Sequence, residues 1–439
     1  MGVFFGTDGI RGKVNSDLTF DLAYKCGNAL GASVSKPTIL IGQDTRVSGS
    51  LLTMAFAGGA MNAGAKIIDV GICPTACVAF LTREVGADFG VIISASHNPP
   101  EYNGIKIFDE NGLKLRDEKE NALERKFVHS VTVAPNNIGS YIQRYNLIRK
   151  YKKHLMSCCK QLVGKKVVID ASNGASYKIA PEVFEKLGAK VIKLSCKRDG
   201  ANINNQCGSL YPDEMSKVVV ENNADFGFAF DGDSDRIIAC DEKGNILDGD
   251  MLLFALAKYL KCQNKLKDNT VVGTRHTNIG IERELNRLGI ELERTDIGDK
   301  YVLERMEQKG LNLGGEKSGH IIMLDYATTG DGVLSALQIA TMSVELNKPF
   351  SELTKVKLCP QCNIDCKVKD KMRVINSERL TKKISQEEKF LPKGSRIMVR
   401  VSGTEKKIRI MVECEDEKLA NESAKRIADV VFNIDHKEI

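Results

Sequence analysis

The sequence predicts an α/β protein with three related α/β domains and a smaller C-terminal α+β domain. Two observations carry this. A unit of strand, polar loop, helix and strand recurs three times along the chain. The last segment breaks the pattern, with two strand-like runs followed by one amphipathic helix.

The first unit covers residues 38–71. T-I-L-I-G-Q reads as a buried strand, D-T-R-V-S-G as a loop, and K-I-I-D-V as a second strand after a helix. The second covers 166–194, with K-V-V-I-D and K-V-I-K-L as its strands. The third covers 270–298, with T-V-V-G-T and I-E-L-E-R-T. Gly64, Gly188 and Gly289 follow the three helices, where a helix is expected to stop. Unequal spacing between units excludes a solenoid and favours separate domains. The expected boundaries are 1–150, 151–250, 251–365 and 366–439, with a flexible linker near 360–370. In the last domain, strands are expected at Arg396 to Val401 and Ile408 to Val412. A helix is expected from Glu417 to Val431, with Leu419, Ala420, Ala424, Ile427, Ala428 and Val431 on one face.

Composition narrows the function classes. A 42% hydrophobic and 27% charged chain of 439 residues is ordinary for a soluble protein. The net charge of +6 is spread over the chain, which suits a small anionic substrate and argues against a nucleic-acid stripe. No apolar run is long enough to span a bilayer, and the N-terminus lacks a signal-peptide pattern. The 13 cysteines are odd in number and follow no scaffold spacing, so a cytoplasmic location with free thiols is expected. Cys359, Cys362 and Cys366 lack a fourth spaced ligand for zinc.

Five segments carry chemistry. F-G-T-D-G-I-R-G at 5–12 is a glycine-rich turn whose Arg11 offers a fork for phosphate oxygens. Val91-Ile92-Ile93 reads as a buried strand running into S-A-S-H-N-P-P. Pro99 and Pro100 bar helix continuation, so Ser96 and His97 sit on a stiff loop at a strand end. Between them, in Q-D-T-R-V-S-G, Thr45 or Ser48 reads as a helix cap, while Arg46 is either structural or a support for the Ser96 loop. D-G-D-S-D-R places Asp231, Asp233 and Asp235 at alternate positions of one loop, where they converge on a hard cation. Glu242 falls at the twelfth position of an EF-hand pattern, but the flanks Phe226 to Phe230 and Ile237 to Cys240 read as strands. Three aspartates between apolar strands would be costly without a cation, and Mg²⁺ is the default. G-G-E-K-S-G-H at 314–320 departs from a P-loop because Glu316 breaks the Gly-Lys-Ser order. Glu316 and Ser318 suit sugar hydroxyls. R-V-S-G-T-E-K-K-I-R gathers Arg400, Ser402, Thr404 and Arg409 with backbone donors into an oxyanion nest.

Taken together and in order, these segments resemble the α-D-phosphohexomutase superfamily over essentially the whole chain. N-I-N-N-Q-C-G-S at 202–209 and T-D-I-G-D-K-Y-V at 295–302 are similar to its glucosamine branch. The resemblance implies four domains around a central cleft. It implies a phosphoryl group on Ser96 and Mg²⁺ held by Asp231, Asp233, Asp235 and a phosphoserine oxygen. Arg11, His97, Lys106 and Arg236 match positions lining the reaction centre, and His320 matches one proposed to help proton transfer. Glu316 and Ser318 match sugar contacts. Arg400, Ser402, Gly403, Thr404 and Arg409 match a distal phosphate clamp. Three residues depart from the pattern: Lys406 for a usual Pro, Tyr211 for a usual His, and Lys300 for a common Arg.

The implied reaction interconverts glucosamine 6-phosphate and glucosamine 1-phosphate through a bisphosphorylated sugar, which also serves as activator. The expected partner is a hexosamine phosphate, with neither nucleic acid nor membrane, and dimers are common in the branch. Lys106, His97 and His320 all remain open as the base. A mannose or glucose mutase of the same superfamily, a Mg²⁺-dependent phosphatase and a sugar-phosphate sensor are the rivals. A phosphatase does not need the second phosphate site, and a sensor does not need both Ser96 and the three aspartates.

Overall fold

Thr38–Gln43 pairs in parallel with Lys66–Ile72, Lys166–Asp170 with Lys190–Leu194, and Thr270–Thr274 with Glu291–Thr295. The three repeats are therefore three βαβ units, with helices Gly49–Asn62, Ile179–Lys186 and Ile279–Arg287 as the crossovers. Gly64, Gly188 and Gly289 all take positive φ just past those helices. The structure, a computed structural model, describes residues 4–6, 9–402 and 406–436.

Each unit is extended in the same way. A third parallel strand pairs with the first: Phe89–Ile93, Phe226–Phe230 and Leu313–Gly315. A fourth strand then returns antiparallel to the third: Tyr102–Phe108, Ile237–Asp241 and Ile321–Met323. All three sheets thus share the order second, first, third, fourth. The turns from third to fourth strand carry Ser96, the three aspartates and Glu316 respectively. Carboxyl ends of strands in open α/β sheets are where ligands bind.

Packing follows the apolar pattern. Ile39 and Ile41, with Val91, Ile93, Ile105 and Ile107, bury one face of the first sheet against Leu52 and Phe56. Phe226, Phe228 and Phe230 are all buried, and Phe226 and Phe228 stack with ring centroids 5.6 Å apart. Strand Phe226–Phe230 is covered on both faces, which is why it reads as an unbroken apolar run.

The chain divides into two compact units. One comprises residues 1–277 and 285–355 and holds all three of these sheets. The other comprises 278–284 and 356–439. Its hairpin of Arg396–Val401 and Lys407–Glu413 lies where the sequence placed it, and the final helix runs on from Glu417 to His436.

One expectation is corrected here. The stretch near 360–370 is no flexible linker: Gln361–Lys367 pairs with Lys407–Glu413 along its whole length. The period-2 pattern explains it. Cys362, Ile364 and Cys366 pack on the core of this unit, while Asn363, Asp365 and Lys367 face away. The thiols serve as small apolar groups, and burial raises the pKa of each.

Glu387 of the same unit is 3% exposed and takes a fork from Arg426, with Nε at 2.8 Å and Nη2 at 2.7 Å. Arg426, supported by Lys383, outweighs burial and holds the Glu387 carboxyl down at about 2. A depressed carboxyl contributes stability above its unfolded pKa, and that contribution fades as pH falls toward the folded value. Glu387→Gln is expected to cost about 1–3 kcal/mol at neutral pH. Unfolding followed by circular dichroism should show the gap between the two proteins narrowing from pH 5 to pH 3.

Candidate active site

Ser96 lies directly after the Phe89–Ile93 strand, fully buried, with φ +52°. Its Oγ donates to Asp231 Oδ2 at 2.5 Å and lies 3.4 Å from His97 Nδ1. The backbone around it is tied down. Ser96 N–H donates to Ser94 Oγ (3.0 Å), which itself donates to Asp44 Oδ2 (2.5 Å). Arg46, ion-paired to Asp44 with both side chains at 0% exposure, donates to the Ser96 carbonyl at 2.9 Å. Of its two open readings, support for the Ser96 loop is therefore the one realised.

Helix capping is not what Thr45 and Ser48 do. Ser48 occupies the N-cap of Gly49–Asn62 but makes no side-chain cap bond; its Oγ accepts from Asn103. Thr45 Oγ1 donates to the Asn173 carbonyl at 2.5 Å. Thr45 ties its loop to another loop, and Ser48 is tied to strand Tyr102–Phe108.

Asp231, Asp233 and Asp235 each place a carboxylate oxygen within 4.8 Å of the others, and all three are buried. Strands, not helices, flank them, as the sequence implied. Glu242, the EF-hand candidate ligand, instead accepts from Ser351 N at 3.1 Å. Lys106, 2% exposed, bonds Asp233 Oδ2 at 2.9 Å and Asp235 Oδ2 at 3.1 Å. Thr75 Oγ1 adds a bond to Asp233 at 2.7 Å. Asp233 Oδ1 and Asp235 Oδ1 are buried and accept no hydrogen bond.

Burial and the two neighbouring carboxylates push the Asp231 pKa well up. Burial also pushes on Asp235, but Lys106, His320 and Arg236 outweigh it and hold that carboxyl well below the ordinary range. At an effective dielectric constant of 20, two carboxylates at this separation repel by about 3–4 kcal/mol. A divalent cation fits both facts: it would take up the orphaned oxygens and relieve the repulsion.

Around this cluster stand the basic groups. Arg236 Nη1 donates to His97 Nδ1 at 3.0 Å, and Arg11 Nη1 donates to Asn98 Oδ1 at 3.3 Å. Burial, with Arg236 and Arg11 nearby, lowers the His97 pKa to about 4, so the ring is neutral at physiological pH. His320 is 3% exposed, with Nδ1 3.7 Å from Asp235 and Nε2 3.6 Å from Asp299. Burial opposes its protonation, and the two carboxylates outweigh burial to raise its pKa. The Gly330 N–H donates to Nε2 at 3.2 Å, which needs a lone pair there.

Glu316 and Ser318 line a cavity of about 280 Å³ with Arg236, Asp299, Lys300 and His320. Glu316 Oε1 accepts from Gly298 N at 2.8 Å, and burial raises its carboxyl pKa. Ser318 is exposed. Lys300 is committed to an ion pair with Asp117.

In the smaller unit, Arg400 and Arg409 face each other across the hairpin, and burial and Arg409 lower the Arg400 pKa. Arg409 Nε is 3.7 Å from Asp365, and Lys371 Nζ donates to the Ser402 carbonyl at 2.8 Å. Gly403 and Thr404 lie outside the described residues.

The structure thus gathers Ser96, His97, Lys106, the three aspartates, Arg236 and His320 into one polar cluster. Sequence reasoning missed Asp44, Ser94, Thr75, Asn204 and Asp299. Asp44 and Thr75 follow the ends of parallel strands, and that position was the available signal.

Comparison with known proteins accords with this geometry. Family models for phosphoglucomutase/phosphomannomutase match four consecutive segments: α/β/α domain I at 2–132, domain II at 147–244, domain III at 248–358 and the C-terminal domain at 364–430. The chain is 44% identical to a phosphoglucosamine mutase of Clostridioides difficile, covering 98% of this chain and 99% of that protein. It is 43% identical to that of Shouchella clausii over the same shares. A solved phosphoglucomutase/phosphomannomutase family protein of Burkholderia thailandensis shares the fold at a TM-score of 0.82 and 24% identity, covering 98% and 97% of the two chains. So does Aspergillus fumigatus N-acetylphosphoglucosamine mutase in complex with GlcNAc-6P and magnesium, at 0.68 and 17%, covering 99% and 96%.

Two measurements test the electrostatics. Mg²⁺ at a hundredfold its Kd should stabilise the protein by about 2.7 kcal/mol. Asp231→Asn should lose that gain yet, without metal, unfold no earlier than the parent, because it removes one repelling charge. In NMR titration, the His97 ring should stay neutral until pH approaches about 4; a midpoint near 6.5 would contradict the burial argument.

Proposed function

The chain belongs to the phosphoglucomutase/phosphomannomutase family, and from that premise we propose that it interconverts glucosamine 6-phosphate and glucosamine 1-phosphate through phosphorylated Ser96. The enzyme is an isomerase that moves a phosphoryl group within one sugar. The observation that carries the reading is the 2.5 Å bond from Ser96 Oγ to Asp231 inside a buried three-carboxylate cluster. A hydrolase serine would need a base of its own; this one faces a metal-type ligand set.

In the proposed cycle, the bond between phosphorus and Ser96 Oγ breaks as one forms to the free hydroxyl of the sugar phosphate. The hydroxyl proton leaves to a base, and a bisphosphorylated sugar results. It turns over, and Ser96 takes back the other phosphoryl group. The free Ser96 hydroxyl is hydrogen-bonded to Asp231 Oδ2 at 2.5 Å, which holds its oxygen beside the three carboxylates. Neutral His97 has its Nδ1 turned to Arg236, so the pair orients the guanidinium toward transferred oxygens. Lys106 is committed to Asp233 and Asp235 and serves charge balance. Asp231, Asp233 and Asp235 would hold Mg²⁺, which when bound offsets charge on the phosphoryl group. Glu316 and Ser318 are assigned to sugar hydroxyls. Arg400, Ser402, Gly403, Thr404 and Arg409 are assigned to the non-reacting phosphate. A trace of bisphosphorylated sugar is the proposed activator.

A cytoplasmic location belongs to the same reading. All thirteen cysteines are free thiols, and no helix among the described residues is long and apolar enough to cross a membrane.

Turnover should be compared on glucosamine, mannose and glucose 6-phosphates, each with a trace of its bisphosphate. Glucosamine 6-phosphate is expected to give the highest kcat/KM, and a mannose preference would move the protein to a sister activity. Ser96→Ala should lose roughly a thousandfold or more in kcat, since no other hydroxyl among the described residues donates to the Asp231 carboxylate.

A further inference from the structure

We infer that Arg46 and Asn204 are positioning residues which clamp the backbone carbonyls of the Ser96 loop and so aim the Ser96 hydroxyl at Asp231. This rests on Ser96 being the phosphoryl carrier proposed above.

Ser96 holds a left-handed backbone at φ +52°, which a serine adopts only when its surroundings dictate it. Arg46 dictates much of it. An arginine has five N–H donors, and all five are placed. Nε bonds Asp44 at 2.9 Å. Nη1 bonds the carbonyls of Pro99 (2.5 Å) and Tyr102 (2.9 Å). Nη2 bonds the carbonyls of Ser96 (2.9 Å) and Asn98 (2.8 Å). One buried guanidinium therefore sets four carbonyls of a seven-residue stretch (96–102). Asp44 closes the circuit, because its Oδ2 also takes Ser94 Oγ, which accepts the Ser96 N–H.

Asn204 arrives from a different sheet's loops and uses its amide on two of the same carbonyls, Ser96 at 2.8 Å and Asn98 at 3.0 Å. Each of those oxygens thus receives one donor from Arg46 and one from Asn204, filling both lone pairs. The fit leaves no slack. A Cβ on Gly232, in the acidic loop, would stand 2.5 Å from the Ser96 carbonyl and 2.9 Å from Asn204 Nδ2. One on Gly200 would stand 2.0 Å from the Thr45 carbonyl. The clamp therefore registers the Ser96 loop against the acidic loop. It also gives the 202–209 segment a task at the nucleophile rather than at the sugar.

Because every donor of Arg46 is spent on protein atoms, loss of the clamp should slow phosphoryl transfer without weakening substrate binding. A misplacement of about 1 Å at a reacting group costs on the order of a hundredfold. The full-length variants to test are Arg46→Lys, which keeps the charge beside Asp44 but loses the fork, and Asn204→Ala and Asn204→Asp on the less buried partner. The expected result is kcat lower by roughly 10- to 100-fold with KM within about twofold. Single-turnover transfer from phosphorylated enzyme to glucosamine 6-phosphate should fall in parallel. Asn204→Asp, equal in size but lacking the N–H donors, should fall at least as far as Asn204→Ala. Normal kcat in Asn204→Asp and Asn204→Ala, or a lowered melting temperature with unchanged single-turnover rate per phosphoserine, overturns the inference. Ser96→Ala separates it from its parent: an active Ser96→Ala sinks both, whereas an inactive Ser96→Ala beside fully active clamp variants sinks the clamp alone.

Discussion

Three carboxylates confined to one buried pocket govern the design of this protein. Asp231, Asp233 and Asp235 are buried between strands made mostly of phenylalanine, isoleucine and alanine. Leaving that charge uncompensated would cost several kcal/mol per group. Lys106 reaches across from another strand to Asp233 and Asp235, Thr75 bonds Asp233, and His320 approaches Asp235 from its own loop. The polar cluster around Ser96 is thus assembled by the need to balance one group of like charges. The compensating groups come from two βαβ units, Lys106 and Thr75 from the first and His320 from the third.

The shared topology makes this assembly economical. In all three sheets the third strand is parallel and the fourth antiparallel, so a short turn always joins them at the carboxyl end of the third. One turn bears a hydroxyl, one bears carboxylates, and one bears a carboxylate and an imidazole. The same backbone solution has been given three side-chain sets. Flat strand ends bring functional groups close, and the chemistry lies in which group each end carries.

Much of this was readable in advance. The βαβ units show as apolar runs flanking a helix-like stretch, because burial on both faces of the central strands forces unbroken Val, Ile and Phe. The alternation of Asp231, Asp233 and Asp235 between apolar strands pointed to a cation for the same reason of cost. Gln361–Lys367 escaped because its inward residues, Cys362, Ile364 and Cys366, alternate with Asn363, Asp365 and Lys367 into a weakly apolar run beside an expected domain boundary. Thr45 and Ser48 misled because a hydroxyl beside a helix start has a local partner in principle; here each found one far along the chain, Asn173 and Asn103.

By itself the sequence determined the repeats, the segments that carry reactive groups and the kind of chemistry they support, since these depend on residue type and near neighbours along the chain. Only the tertiary structure decided which distant groups meet: Arg46 with the carbonyls at 96–102, Asn204 with Ser96, Lys106 with two aspartates, and Arg236 with His97. Those pairings span between 50 and 139 positions. A hydrogen bond of that reach leaves no local periodicity, so nothing short of the folded chain reveals it.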